Sequence, residues 1–323
     1  MQKLKHWLSQ QFSLKDFELE PLQGDASFRR YYRLNINHKN YIAVDASPET
    51  ENSAAFVRLS QAFGELNIHV PKVLAHNLEQ GFLLLTDLGD DVLFRVLNQN
   101  SNKNLNTNKI DEYYQQSLRE LAKIQQCQIN LPGFDADFMK NELNLFKEWF
   151  LKKHLKLKLS KTIQKILNNS FEILLYSAVS QPQCCIHRDY HSRNLMCLSD
   201  DQIGILDFQD AMIGPMTYDL VSLVRDCYID WPVEQVNAWA EDFYMQYVRN
   251  LISSKSEFMR YFDLMGIQRH LKAVFIFARK FHRDNADSYL KDIPRTLKYI
   301  IDVSQDYAEL IELRKLMQDV INA

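Results

Sequence analysis

The sequence predicts an α+β chain of two lobes: a small β-rich lobe over 1–86, then a larger, mostly helical lobe over 87–323 that carries one β-hairpin. Three observations predict it. Aromatic and β-branched runs of strand length crowd into the first 86 residues. Apolar residues recur at helical spacing through most of residues 87–323. Eight glycines in 323 residues stand well below the usual ~7%, so few turns can rest on positive φ, which favours long helices.

In chain order, Phe17 to Glu20, Ser27 to Leu34 and Tyr41 to Val44 read as strands. A helix begins at about Ser53, an N-cap residue type, because Phe56, Leu59, Phe63 and Leu66 share one face. Val73 to His76 and Phe82 to Thr86 read as two more strands, so the small lobe is strands around one helix. From Asn98 to Asn108 every second residue is asparagine, which reads as a loop insertion too polar to order itself. Tyr114, Leu118, Leu121 and Gln125 mark a helix. Ile163, Leu167, Phe171, Leu174 and Ala178 mark another, which Gln181-Pro182 ends. The basic run Lys152 to Lys165 reads as a solvated helix face. Asn194 to Leu198 and Ile203 to Phe208 flank the turn Ser199-Asp200-Asp201 as a hairpin, and everything after Tyr218 is helical in pattern.

Composition excludes several classes. Hydrophobic residues at 46% and charged residues at 24% exclude wholesale disorder. Lys and Arg total 38 against 41 Asp and Glu, so no basic field points to nucleic acid. The cysteines at 127, 184, 185, 197 and 227 are odd in number and form no CxxC pair. Neither a disulfide framework nor a Cys-rich zinc site is expected, and a reducing compartment fits. The longest apolar runs, Phe82 to Leu85 and Ala273 to Ala278, fall far short of the ~20 residues of a membrane span, and the N-terminus lacks a signal-peptide apolar core. A cytoplasmic protein without a membrane, nucleic-acid or obligate protein partner is the expectation.

Two segments concentrate chemistry: His187-Arg188-Asp189-Tyr190-His191-Ser192-Arg193-Asn194 and Ile205-Leu206-Asp207-Phe208-Gln209-Asp210. Both lie at ends of the predicted hairpin, where a scaffold holds loop side chains. Asp189 precedes Asn194 by five residues, and Asp207 follows Asn194 by thirteen. That pattern offers one carboxylate to orient a substrate hydroxyl, and an Asn with an Asp to hold Mg²⁺ on nucleotide phosphates. Phosphoryl transfer asks the protein mainly for positioning and charge neutralisation, which these groups supply. A rival reading takes His187, Asp189 and His191 as a metal-hydrolase cluster. It leaves Asn194 and Asp207-Phe208 without roles.

With these motifs the chain resembles, over nearly its whole length, the aminoglycoside-phosphotransferase branch of the protein-kinase-like fold. The strings GDASFRRYYRL (24–34), GFLLLTDLGDD (81–91), HRDYHSRNLM (187–196) and ILDFQDAMIGPMTYDLVSLVRDCYIDWP (205–232) resemble the bacterial anomeric N-acetylmuramate/N-acetylglucosamine kinases. The resemblance implies a bilobal kinase-like fold whose hairpin is catalytic. It also implies ATP-dependent phosphorylation of an amino sugar at its anomeric hydroxyl, in peptidoglycan recycling, with ATP and Mg²⁺ as cofactors. Asp189 would be the catalytic base with His191 beside it, and Asn194 and Asp207 would hold the metal. Gly24, Asp25 and Ser27 would cover the phosphates, and the backbone of Thr86, Asp87 and Leu88 would read adenine. His187 and Asp219 would hold the catalytic loop and the helix after it. Another small-molecule hydroxyl kinase of the choline-kinase type, or a nucleotide-binding pseudokinase, is the alternative.

Two departures stand out. The phosphate loop has one glycine, and Val44 stands about where kinases place the lysine that pairs with the phosphates. Arg29 or Arg30 would then supply the cation, with Arg30 taken into the nucleotide set; adjacent strand residues alternate faces, so one of them points inward. Only eleven residues separate Asp207 from Asp219, which suits a small-molecule substrate rather than a peptide. N-acetylmuramate carries a carboxylate and calls for a cation or His nearby. Arg193, Arg225, Tyr228, Asp230 and Arg269 are the substrate candidates, with Trp231 and Tyr228 as rings that stack on a sugar.

Overall fold

The computed structural model describes residues 1–12, 17–22, 29–99, 107–199 and 202–322. It divides into two compact units, one of residues 1–109 with 193–210, the other of 110–192 with 211–323. This division departs from the expected boundary at residue 86, because the hairpin groups with the N-terminal residues.

The first unit holds α1 (Gln2–Phe12), α2 (Ser53–Glu65) and α3 (Leu93–Gln99) with five strands: β1 (Glu20–Leu22), β2 (Arg30–Ile36), β3 (Lys39–Asp45), β4 (Val73–Asn77) and β5 (Phe82–Thr86). The strands form one antiparallel sheet in the order β1-β2-β3-β5-β4. Alternation buries Tyr32, Leu34, Ala43, Phe82 and Leu84 with Leu4, Trp7 and Leu8 of α1 in one core. Helix α1 corrects the expectation of a single helix: Leu4, Trp7 and Leu8 do recur at helical spacing, though over only two turns. The expected strand at Phe17 shrinks to Glu20–Leu22, and Leu19 goes into the core. Asn52, one residue before Ser53, is the cap of α2, its side chain accepting from the Ala55 N–H.

The hairpin is β7 (Leu195–Cys197) paired with β8 (Ile203–Ile205), shorter than expected. Backbone bridges fasten it to the rest of this unit, His69 to Gly204 and Val92 to Met196. The Ile205 N–H donates to the His69 carbonyl and the Cys197 N–H to the Asp91 carbonyl. Those bonds complete backbone pairing the two short strands lack on their own. Most of the Asn-rich tract lies outside the described residues, as do Gly24, Asp25 and Ser27 of the expected phosphate turn.

The second unit is helical: α4 (Thr107–Gln125), α5 (Ala136–Leu145), α6 (Lys161–Ser180), α7 (Tyr218–Val224), α8 (Val233–Phe243), α9 (Lys255–Asp284), α10 (Ile293–Ser304) and α11 (Ile311–Asn322), where α4 belongs to it from Ile110 onward. The 30-residue α9 is its spine, with both apolar and polar residues buried along it. Helix α5 runs on as a π-helical stretch over Phe146–His154. The basic run therefore belongs to no single helix: its lysines are exposed, but the chain breaks between His154 and α6. Two four-residue strands, β6 (Gln183–Ile186) and β9 (Met212–Pro215), pair antiparallel, one leading into 187–194 and the other following 205–210.

Candidate active site

Each unit carries its own set of candidate side chains. In the first unit the chain entering β2 turns Arg29 and Arg30 to opposite faces. Arg30 is 64% exposed and pairs with Asp45 at 2.7 Å. Arg29, only 6% exposed, pairs with Glu51 at 2.9 Å. Arg30 is thus corrected as the inward cation, and Arg29 takes that place. Tyr31 marks what Arg29 faces. Burial raises the Tyr31 hydroxyl above its ordinary pKa; Arg29 opposes that, and the charges of Asp207 and Glu51 add to it. Arg29, Tyr31, Glu51 and Asp207 therefore share one electrostatic neighbourhood. Val44, at the position expected of a lysine, is buried in the sheet between Tyr31 and Leu83.

Asp207 follows β8 with φ +62°, a left-handed conformation uncommon outside glycine. The next residue fixes it there: Phe208 is fully buried and stacks on Phe56 of α2 at 4.7 Å, with Phe63 at 5.6 Å. Gln209 Nε2 donates to Asp207 Oδ1 at 2.8 Å. The Leu206 N–H donates to the Asn194 carbonyl at 2.9 Å, tying the two metal candidates across the hairpin. Their side chains offer hard oxygen donors, the chemistry Mg²⁺ takes when phosphates and water fill its other positions.

In the expected adenine segment, Thr86 ends β5 and its N–H already donates to the Lys72 carbonyl. The Asp87 carboxylate is bound by Arg33 (2.6 Å to Nε) and by the Gly89 N–H. Leu88 lies against Gly204, where any side chain would meet it. Arg193 stacks over Phe94 at 4.8 Å, in the first unit.

The second unit holds Asp189 and its loop. Asp219, fully buried at the start of α7, accepts the backbone N–H groups of His187 (2.5 Å) and Arg188 (2.9 Å). That clamp steadies Arg188 at φ +78°, another strained position, beside the candidate base. Tyr190 donates to the Ser117 carbonyl at 2.7 Å. Asp226 accepts both the N–H and the hydroxyl of Ser192, at 3.0 and 2.5 Å, and the Tyr228 N–H at 2.8 Å. The loop is thereby held by two buried carboxylates, and only Asp219 carried that expectation.

Asp189 itself is half-buried. Burial works to raise its pKa, but Lys272, His191, Arg269 and His187 outweigh burial and hold the carboxyl well below the usual range. His191 is pushed down by burial against the pull of Asp226 and Asp189, and its ring meets Tyr228 edge-on at 5.5 Å. Of the substrate candidates, Arg269 lies with Asp189, its guanidinium over Tyr218 at 4.8 Å. Arg225 is paired with Asp263 at 2.6 Å. It lines, with Asp230, Trp231 and Tyr299, a cleft of about 610 Å³ whose walls do not include Asp189. Among the described residues no group of three or more His, Cys, Asp or Glu side chains is placed to hold a metal, so His187, Asp189 and His191 form no hydrolase centre. Sequence reasoning missed Lys272 and Glu142. A lysine inside the run HLKAVFIFARK is the one signal that pointed to the first.

A carboxylate held among cations in the helical unit, and Asn and Asp oxygens on a hairpin in the unit of the five-stranded sheet, are groups that a phosphotransferase of protein-kinase-like architecture presents. Residues 18–251 match the model of the phosphotransferase enzyme family, and the chain belongs to that family. Among curated proteins it is similar to the N-acetylmuramate/N-acetylglucosamine kinase of Pseudomonas aeruginosa, at 38% identity over 93% of this chain and 88% of the relative. The kinase of the same name from Neisseria meningitidis serogroup B is 36% identical over 99% of this chain and 95% of its own length. The crystal structure of an ADP-bound aminoglycoside phosphotransferase shares the fold, with a TM-score of 0.60 at 14% identity, covering 92% of this chain and 97% of that one.

Proposed function

We propose that this phosphotransferase is an ATP-dependent kinase that phosphorylates the anomeric hydroxyl of N-acetylmuramate and N-acetylglucosamine, giving a sugar 1-phosphate. The observation that carries the reading is near-full-length identity of 38% and 36% to two kinases bearing those substrates in their names. The absence of a helix long and apolar enough to cross a membrane, among the described residues, fits the cytoplasmic setting expected of such an enzyme.

In this reading Asp189 orients the sugar hydroxyl and accepts its proton as the bond to phosphorus forms. Its depressed pKa keeps it ionised at neutral pH, and proton acceptance late in transfer needs only an ordinary carboxylate. Arg29, braced by Glu51, supplies the cation for the nucleotide phosphates. Asn194 and Asp207 would hold Mg²⁺, which when bound neutralises phosphate charge. Gly24, Asp25 and Ser27 would cover the phosphates, and the Thr86–Leu88 backbone would read the base. In this reading nucleotide handling falls to residues 1–86 together with Asp87, Leu88 and the hairpin of Asn194 and Asp207, and substrate handling to the rest of 87–323.

A panel of free sugars with ATP and Mg²⁺, read by ³¹P and ¹H NMR, tests the proposal. The expected product is a 1-phosphate of the N-acetylated amino sugars. Phosphorylation at another hydroxyl, or no product from either sugar, overturns it.

A further inference from the structure

Around Tyr218 and Glu142, close to Asp189, three cationic side chains converge: Arg188, Arg269 and Lys272. Glu142 Oε1 is shared by Arg188 Nη2 at 3.2 Å and Lys272 Nζ at 3.5 Å. The Tyr218 hydroxyl is shared by Lys272 Nζ at 2.8 Å and Arg269 Nη1 at 3.4 Å. Arg188 Nε is buried with no hydrogen-bond partner among the described residues. The nearby carboxylate of Asp219 commits its oxygens to the His187 and Arg188 amides and offers these cations no hydrogen bond. Lys272 is 7% exposed, and long cationic side chains are seldom buried unless matched.

We infer that Arg188, Arg269 and Lys272 form an oxyanion subsite next to Asp189, which takes either the carboxylate of a sugar acid or the oxygens of the phosphoryl group in transfer. Each source presents the same chemistry: a planar or tetrahedral set of anionic oxygens that accepts charge-assisted hydrogen bonds. Both sources rest on the kinase reading above. The electrostatics agree, since Tyr218, Glu142 and Asp189 keep Lys272 charged although burial opposes it. The sugar-acid source has a further consequence: N-acetylmuramate bears a carboxylate and N-acetylglucosamine does not. The subsite would then rank the two substrates.

Lys272→Met removes the charge while keeping the length of the side chain. If the subsite takes the sugar carboxylate, KM for N-acetylmuramate rises about tenfold or more while N-acetylglucosamine is little changed. If it takes the phosphoryl group, kcat falls by a similar factor on both sugars with KM held. Unchanged kcat and KM on both sugars overturn the inference. Direct anion binding guards against a variant that fails to fold: calorimetry of the wild-type chain with inorganic phosphate and with D-lactate. Saturable binding of either anion, competed by the sugar, supports the subsite; binding of neither overturns it. A wild-type chain that binds these anions but phosphorylates neither sugar would sink the kinase reading and leave the subsite standing.

Discussion

Arg29 and Glu51 form a largely buried ion pair, guanidinium nitrogen to carboxylate oxygen at 2.9 Å, where the chain enters β2 and approaches α2. Arg30, one residue on, projects to solvent and meets Asp45. The pair places a braced cation in the electrostatic neighbourhood of Asp207, while the strand position expected of a lysine is filled by Val44, a core residue.

Arg29→Ala should weaken ATP binding by about 10- to 150-fold, the loss of one charge-assisted contact worth roughly 1.5–3 kcal/mol. Arg30→Ala should stay within about twofold of wild type, because an exposed pair contributes little. Glu51→Gln should fall between them, as it frees Arg29 without removing its charge. Calorimetry with ATP and Mg²⁺ on the three variants decides the matter. Normal binding by Arg29→Ala would assign the phosphates to another group.

Asp189→Asn should keep the fold and lower kcat by roughly 10²- to 10⁴-fold, the span of a general base. The depressed pKa of Asp189 adds a pH signature. A base ionised throughout the neutral range gives no acid limb between about pH 5 and 8, so a falling limb there must come from another group. Steady-state kinetics across that range reads both effects.

Asp207 separates a metal role from a backbone role. Asn tolerates positive φ several-fold better than most residues, so Asp207→Asn should keep stability near wild type and lose Mg²⁺-dependent nucleotide binding. Asp207→Ala should lose binding too, and also lose about 1–2 kcal/mol of stability to a left-handed alanine. Thermal melts beside titrations with and without Mg²⁺ distinguish the pair. Equal Mg²⁺ dependence in wild type and Asp207→Asn would remove Asp207 from the metal set.

Much of the fold was legible because its signals are local. The strand Phe82–Thr86 falls where its apolar run lies, and α2 starts at Ser53 and carries Phe56, Leu59 and Phe63, with Leu66 as its C-cap. The candidate catalytic strings stood out for the same reason, each confined to eight or fewer residues. Other features were set by packing that a linear reading does not carry. The strands β6 and β9 are four residues each and pair across 25 intervening residues, so neither shows a period of its own. The inward choice of Arg29 needed the phase of β2, and alternation alone left two answers. Lys272 and Glu142 lie 130 positions apart and meet where α9 packs on α5, a pairing no spacing announces. Arg225, a substrate candidate in the sequence, pairs with Asp263 on α9, another contact that spacing does not announce.

His270 gives the last prediction, on stability against pH. Its ring stacks on Tyr299 at 4.7 Å, and Nε2, as the protonated nitrogen, donates to the Arg225 carbonyl at 3.1 Å. Nδ1 is buried without a hydrogen-bond partner among the described residues. Burial pushes the imidazole pKa down to about 3; the Arg225 carbonyl pulls it up, and the Arg225 and Arg269 charges push it further down. An unfolded histidine titrates near ~6.5. Above that pH neither state binds the proton, and the stability from burying a neutral ring is fully present. As pH falls below it, the unfolded chain gains a proton that the folded chain refuses, so stability drops by at most about 1.4 kcal/mol per pH unit until the folded pKa is reached. His191, also lowered by burial, adds a slope of the same sign. His270→Gln keeps an amide N–H for the Arg225 carbonyl and removes the titration. Its melting temperature should therefore fall less steeply than that of wild type between about pH 6.5 and 4, whatever the absolute offset. Parallel curves for the two proteins would show that His270 does not titrate as this environment requires.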